Sequence, residues 1–180
     1  MAVATLFAAP GLDCLRLREL LLHIGLLGLL AFVTGSPFVF PSLGPTAYLF
    51  FFSPLAEAAS PLNTVLGHAI GLTCGYAAFA LTVTATPPFN THAAVHAPTV
   101  LAAALSLSAT GAFMVLFRVS HPPAGATTLI PSLGIICRPK DLVIIEFAVV
   151  LLTAQAIAIN RLAVLPYPFW REGKPRGTSS

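Results

Sequence analysis

The sequence predicts an all-α membrane protein with four full transmembrane helices and two short, broken or re-entrant ones; an internal two-fold repeat is a further expectation. Three observations carry this. Hydrophobic residues are 57% of the 180 and charged residues only 8%, against about 25% charged in a soluble domain. Apolar runs approaching the roughly 20 residues that span a bilayer recur along the chain. Between them lie two shorter apolar runs interrupted by proline, which fixes φ and removes an amide donor.

The net charge of +3 is small and concentrated toward the ends, so nucleic acid is not expected as a partner. The basic residues, Arg16, Arg18, Arg118, Arg138, Lys140, Arg161, Arg171, Lys174 and Arg176, stand almost all outside the apolar runs, as the flanks of membrane spans do. Cys14, Cys74 and Cys137 form no CxxC pair and no zinc spacing. They read as small apolar fillers.

Residues 1–14 read as a tail or a short interfacial helix. Arg16 and Arg18 before an apolar run imitate a signal peptide, but no clear small-residue cleavage site follows. Asp13 and Glu19 argue against a transit peptide. Leu20–Thr34 is the first span, helped by Leu15 and Leu17 to about 18 residues and ended by Gly35-Ser36-Pro37. His23 within it reads as a side chain near the interface that snorkels or bonds a neighbour.

Phe38–Pro54 is the first irregular segment. Pro41 and Pro45 exclude regular helix at its front. A helix starting near Pro45, with Gly44 or Ser42 as cap, keeps about ten residues, too few to span alone. A half-helix is one reading and a kinked ordinary span the other. Irregular backbone at membrane depth is tolerated only where protein or a water-filled cavity surrounds it.

Leu55–Pro61 connects to a full span, Asn63–Ala85. Gly67, Gly71 and Gly75 recur at four-residue spacing, a face that lets helix backbones approach closely and is a candidate for homo-oligomer contact. His68 shares a side with Gly75 and Thr82, which turns it into the bundle. There an ionisable group is a functional candidate, and an interhelical hydrogen bond is the structural reading.

Thr86–Pro98 is a loop between the halves. His92 and His96 have the i, i+4 spacing of helical metal ligands, but the Glu of a HExxH pattern is missing and prolines bracket them. Neither a metal nor a cofactor is expected.

Thr99–Phe117 is the next span, with Ser106 and Thr110 on one face suited to tight packing. Arg118 at its end is an interfacial anchor or a fixed charge beside the next motif. That motif, Ser120-His121-Pro122-Pro123, breaks the chain. Ala124–Cys137 is the second short segment, broken again at Pro131. Leu142 to about Leu165 is the last span. Glu146, Thr153 and Asn160 lie on one face of it, turned toward protein or a pathway. Residues 167–180 are an interfacial and polar tail, begun by aromatic and basic anchors.

Residues 15–166 thus form one transmembrane domain with halves at about 15–86 and 98–166. Gly44-Pro45-Thr46-Ala47 resembles Gly125-Ala126-Thr127-Thr128, and in this register His68 corresponds to Glu146. If both short segments are re-entrant, four helices cross; if both cross, six do and the halves are inverted. Both forms put the termini on one side, the cytoplasm or a plastid stroma. The six-crossing form also puts Arg118 there.

Ser-His-Pro-Pro-Ala-Gly-Ala-Thr-Thr at 120–128 resembles the HPP family of integral membrane proteins. The likeness extends to Pro41–Ala47 and to Pro61–His68, so it covers roughly residues 20–165. It implies a four-helix membrane domain. Through members in cyanobacteria and plastids it implies nitrite transport, in a bacterial plasma membrane or a chloroplast inner envelope.

The residues themselves suit a small anion. Helix N-termini offer unpaired amides and a positive dipole end, and two such ends, near Thr46 and Thr127, are expected to converge at midplane. The expected site is Gly44, Thr46, His68, His121, Gly125, Thr127, Thr128 and Glu146. The glycines admit a ligand to backbone, the threonines donate, and the histidines carry a proton with Glu146 tuning them. The function expected is an uncoupled or proton-linked path for an anion, not an enzyme; a structural or assembly subunit is the alternative.

Overall fold

The computed structural model describes residues 10–82, 96–164 and 167–170. The tail before Pro10, most of the Thr86–Pro98 loop with His92, and the polar end beyond Trp170 lie outside the described residues. The described residues form six α-helices: α1 (Pro10–Thr34), α2 (Leu43–Phe52), α3 (Pro61–Thr82), α4 (Ala97–Phe117), α5 (Pro123–Ser132) and α6 (Pro139–Leu162). A 3-10 turn at Glu57–Ala59 precedes α3, and no strand occurs among the described residues. α1, α3, α4 and α6 are long and apolar enough to cross a membrane.

Helix α1 starts before its apolar run, at Pro10. Arg16, Arg18 and Glu19 are good helix formers and carry it into the span. Gly35, at φ +62°, ends it in the left-handed conformation that glycine adopts without a steric cost. Helices α2 and α5 have ten residues each, about 15 Å of rise. Pro45 falls in the first turn of α2, and Pro122 and Pro123 open α5, where a missing amide costs nothing.

Neighbours fix the direction of each helix. Positions Gly67, Gly71 and Gly75 of α3 face His121, Ala124 and Thr128 in turn, so α5 runs parallel to α3. Helix α4 is antiparallel to α3: Gly67 faces Met114 and Ala78 packs with Ala102. Helix α6 is antiparallel as well, since Leu142 and Val143 share a groove with Tyr76 and Ala77, while Tyr167 beyond its end reaches Ala59. Helices α4 and α6 therefore point the same way, and the segment between them, α5 included, carries the chain from one end of the bundle to the other.

Helix α2 has the same role in the first half. Its start meets Thr127 through Ser42, Thr46 meets His68, and the carbonyl of Phe50 accepts a bond from Asn160. It runs against α3. His23 of α1 packs on Phe51 and the end of α1 leads into the start of α2, so α1 runs with α3. Directions alternate from α1 to α6, the order of the six-crossing form. The short helices are thus the helical parts of broken crossings and not re-entrant loops. The start of α1, the end of α6 and Arg118 share one end of the bundle.

The main apolar core lies between α1, α2 and α6, around Leu27, Leu43, Phe50, Val149 and Leu152. The outer faces stay apolar, with Phe32, Leu81, Val115 and Leu162 exposed, as a bilayer solvent requires.

The glycine face of α3 is filled from within the chain. A Cβ on Gly71 would stand 2.7 Å from the Ala124 carbonyl oxygen, and one on Gly75 would strike the carbonyl oxygen of Thr128. This is the close backbone approach the spacing predicts. The partner on this face is α5 of the same chain.

A candidate site of paired histidines

Four of the expected residues meet. Thr46, His68 and Thr127 are fully buried and His121 is 1% exposed. Nε2 of His68 lies 3.1 Å from Nε2 of His121. The Thr46 hydroxyl lies 3.0 Å from the first of these nitrogens and 3.3 Å from the second. Nδ1 of His68 lies 2.6 Å from the Thr127 hydroxyl, which is 2.5 Å from that of Ser42. The far nitrogen of His121, Nδ1, lies 2.7 Å from the carbonyl oxygen of Ala58 and 3.4 Å from the Thr64 hydroxyl.

The elements explain the convergence. Pro122 and Pro123 stop the chain from continuing α4 and aim α5 along α3. Gly67 provides the space beside His68: a Cβ there would come 2.8 Å from that of His121. Helix α2 enters with Ser42 at its N-cap position, but the Ser42 side chain makes no cap bond and turns to Thr127 instead.

Bonding rules give one proton arrangement. A carbonyl only accepts, so His121 donates from Nδ1 to Ala58 and its Nε2 is an acceptor. His68 then donates from Nε2, toward His121 and Thr46. Its Nδ1 accepts from Thr127, which accepts from Ser42, while Thr46 donates to the Ser42 carbonyl at 2.9 Å. Both rings are neutral and each of their four nitrogens has a hydrogen-bond partner.

The other expected residues lie elsewhere. Gly44 is exposed, with open space where a side chain would stand, and a Cβ on Gly125 would make an ordinary contact, 3.8 Å, with Leu107. Neither glycine brings backbone to the cluster. Thr128 bonds Thr110 at 2.9 Å and the Ala124 carbonyl at 3.0 Å, tying α5 to α4. Glu146 lines a groove of about 360 Å³ between α3 and α6 with Ala69, Leu72, Thr73 and Tyr76. Its carboxyl oxygens are buried without a hydrogen-bond partner and make no bond to the histidines.

Two further observations bear on the expected anion site. The helix starts meet through side chains and not through open amides: Leu43 donates to Phe40, Ala124 to His121 and Gly125 to Pro122, each at 3.0 Å. Along α3 the site lies nearer the first end than the last. His68 is the eighth residue of the 22 in α3, about 10 Å along a helix of about 33 Å, toward the end that holds Arg118.

Ser42, Thr64 and the Ala58 carbonyl join the cluster without being expected there. Thr64 sits one turn before His68 on the same face, a signal available in the sequence. Smaller readings fared well: His23 bonds the Glu19 carbonyl, and Ser106 and Thr110 are buried in helix packing.

The model of the HPP transmembrane region matches residues 15–168. This chain belongs to the HPP family. No curated protein and no solved structure matches it. The HPP match takes in all six helices apart from the first residues of α1, and the motif histidine, His121, is the residue on which α2, α3, α5 and the turn before α3 converge. The protein is an integral membrane protein, and its apolar helices fit a transporter or channel.

Proposed function

We propose that this HPP-family protein moves a small inorganic anion across its membrane, with nitrite the first candidate. The observation that carries the reading is the closed cluster of His68, His121, Thr46 and Thr127 inside an apolar bundle. Buried polar groups in a membrane mark pathways by default. The side chains in this cluster are imidazoles and hydroxyls, which can donate to an oxyanion, and a carboxylate that would repel one is not among them. The membrane is a bacterial plasma membrane, with a chloroplast inner envelope as the alternative. The glycine face that favoured an assembly subunit is taken by α5.

Nitrite uptake into proteoliposomes, wild type against His121→Ala and His68→Ala, is the test. Wild-type uptake above that of protein-free vesicles, lost in both variants, is expected. Equal uptake by all three, or none by wild type, would remove the reading.

A further inference from the structure

We infer that the histidine pair takes up one proton together with each anion, so that the step is electroneutral and runs on a pH gradient rather than on membrane voltage. This rests on the anion-transport reading above and adds its coupling.

The network can accept a proton without moving a heavy atom. In the neutral arrangement Thr127 donates to Nδ1 of His68. A proton placed on that nitrogen reverses the bond, so that His68 donates to Thr127. The hydroxyl has two acceptor sites, one already filled by Ser42, and its own hydrogen turns to the Pro123 carbonyl at 3.5 Å. The bond between the two rings and the bond from His121 to Ala58 both persist. The balance is one proton gained and one positive charge, shared between rings whose Nε2 atoms are 3.1 Å apart.

Among the described residues no charged side chain is bonded to this pair. The groups facing the pair are Ser42 and Thr46 from α2, the Ala58 carbonyl from the 3-10 turn, Thr64 from α3 and Thr127 from α5. Glu57 and Arg118 are exposed, and the Glu146 carboxyl makes no hydrogen bond to the cluster. A charge taken out of water is costly unless it is paired. The pairing group must come with the substrate, and a small monovalent oxyanion matches the charge.

The full-length protein in liposomes, loaded with a pH dye and offered nitrite, nitrate, formate or chloride, tests the inference. Protein-free vesicles give the passive leak to be subtracted. One proton entering per anion is expected, driven by an imposed pH gradient and unchanged by a potassium–valinomycin potential. Uptake that follows the potential without proton entry overturns the coupling and leaves anion transport standing. No uptake of any of the four anions overturns the transport reading itself. His68→Gln retains a donor and an acceptor but takes up no proton, and is expected to lose proton entry. Loss of proton entry in Glu146→Gln, with retention in His68→Gln, overturns the assignment to the histidines. The wild-type stoichiometry stands as a test even if a variant fails to fold.

Discussion

Thr127 stands between Ser42 and His68, accepting from the first and donating to the second. Thr127→Val keeps its shape and leaves two buried polar groups without partners, at about 1–3 kcal/mol. The variant is expected to melt earlier in detergent and to lose transport; unchanged melting and uptake would show that the hydroxyl is dispensable. At this scale the sequence was partly legible. His121 announces itself by its prolines and His68 by the glycine before it, and both threonines follow from the short helix starts. Ser42 and the Ala58 carbonyl were hidden, because their partners are 85 and 63 residues away and nothing local points to them. Heptad spacing places Glu146 on the inner face of α6 without saying what that face meets, which is a groove against α3.

Helix α5 depends on α3 having no side chains where the two touch. Gly71→Ala and Gly75→Ala would put a methyl group into the backbone of α5, and overpacking of this kind costs about 1–3 kcal/mol. Gly111→Ala in α4 meets nothing within 4 Å and is expected to be neutral, or stabilising by up to about 1 kcal/mol through helix propensity. Thermal unfolding of the three variants checks the contrast, and equal melting would mean that the glycine face is not a packing device. The segment after α6 is a second element-scale contact. Tyr167 is buried and donates to the Ala59 carbonyl at 2.6 Å, and Trp170 accepts from Leu62 at 2.8 Å. The aromatic composition suggested an interface anchor, and Phe169, under the Arg161 guanidinium, fits that description. Tyr167 instead closes the core beside the turn that orients His121. Burial pushes its phenol above the ordinary range, so the contribution is whole below about pH 10 and is lost progressively as the pH rises from there through the raised value. Tyr167→Phe is expected to lower stability by about 1 kcal/mol at neutral pH, and denaturation curves read it.

Across the whole molecule, composition and apolar spacing made the membrane class, the long helices and the short ones legible. Direction was not legible, because a ten-residue helix reads alike whether it returns or continues. Contacts between distant segments decide it, and they give alternating directions. The expected consequence is that cysteines placed at Arg118 and at Lys140 react with impermeant maleimide from opposite sides of sealed vesicles. Labelling from one side alone would restore the re-entrant form. The described basic residues agree with the alternating form, since Arg16, Arg18, Arg118 and Arg161 gather at one end and Arg138 and Lys140 at the other.

The short helices also bear on biogenesis. A segment of about ten residues is too brief to partition into lipid unaided, so α5 enters as a guest of α3, which has already left the ribosome. Helix α2 is in the reverse position. Its Phe50 carbonyl finds Asn160 only when α6 emerges, so the first half of the chain stays provisional until then. A nascent chain arrested after α5 is expected to expose the 53–60 connector to protease, and release through α6 to protect it.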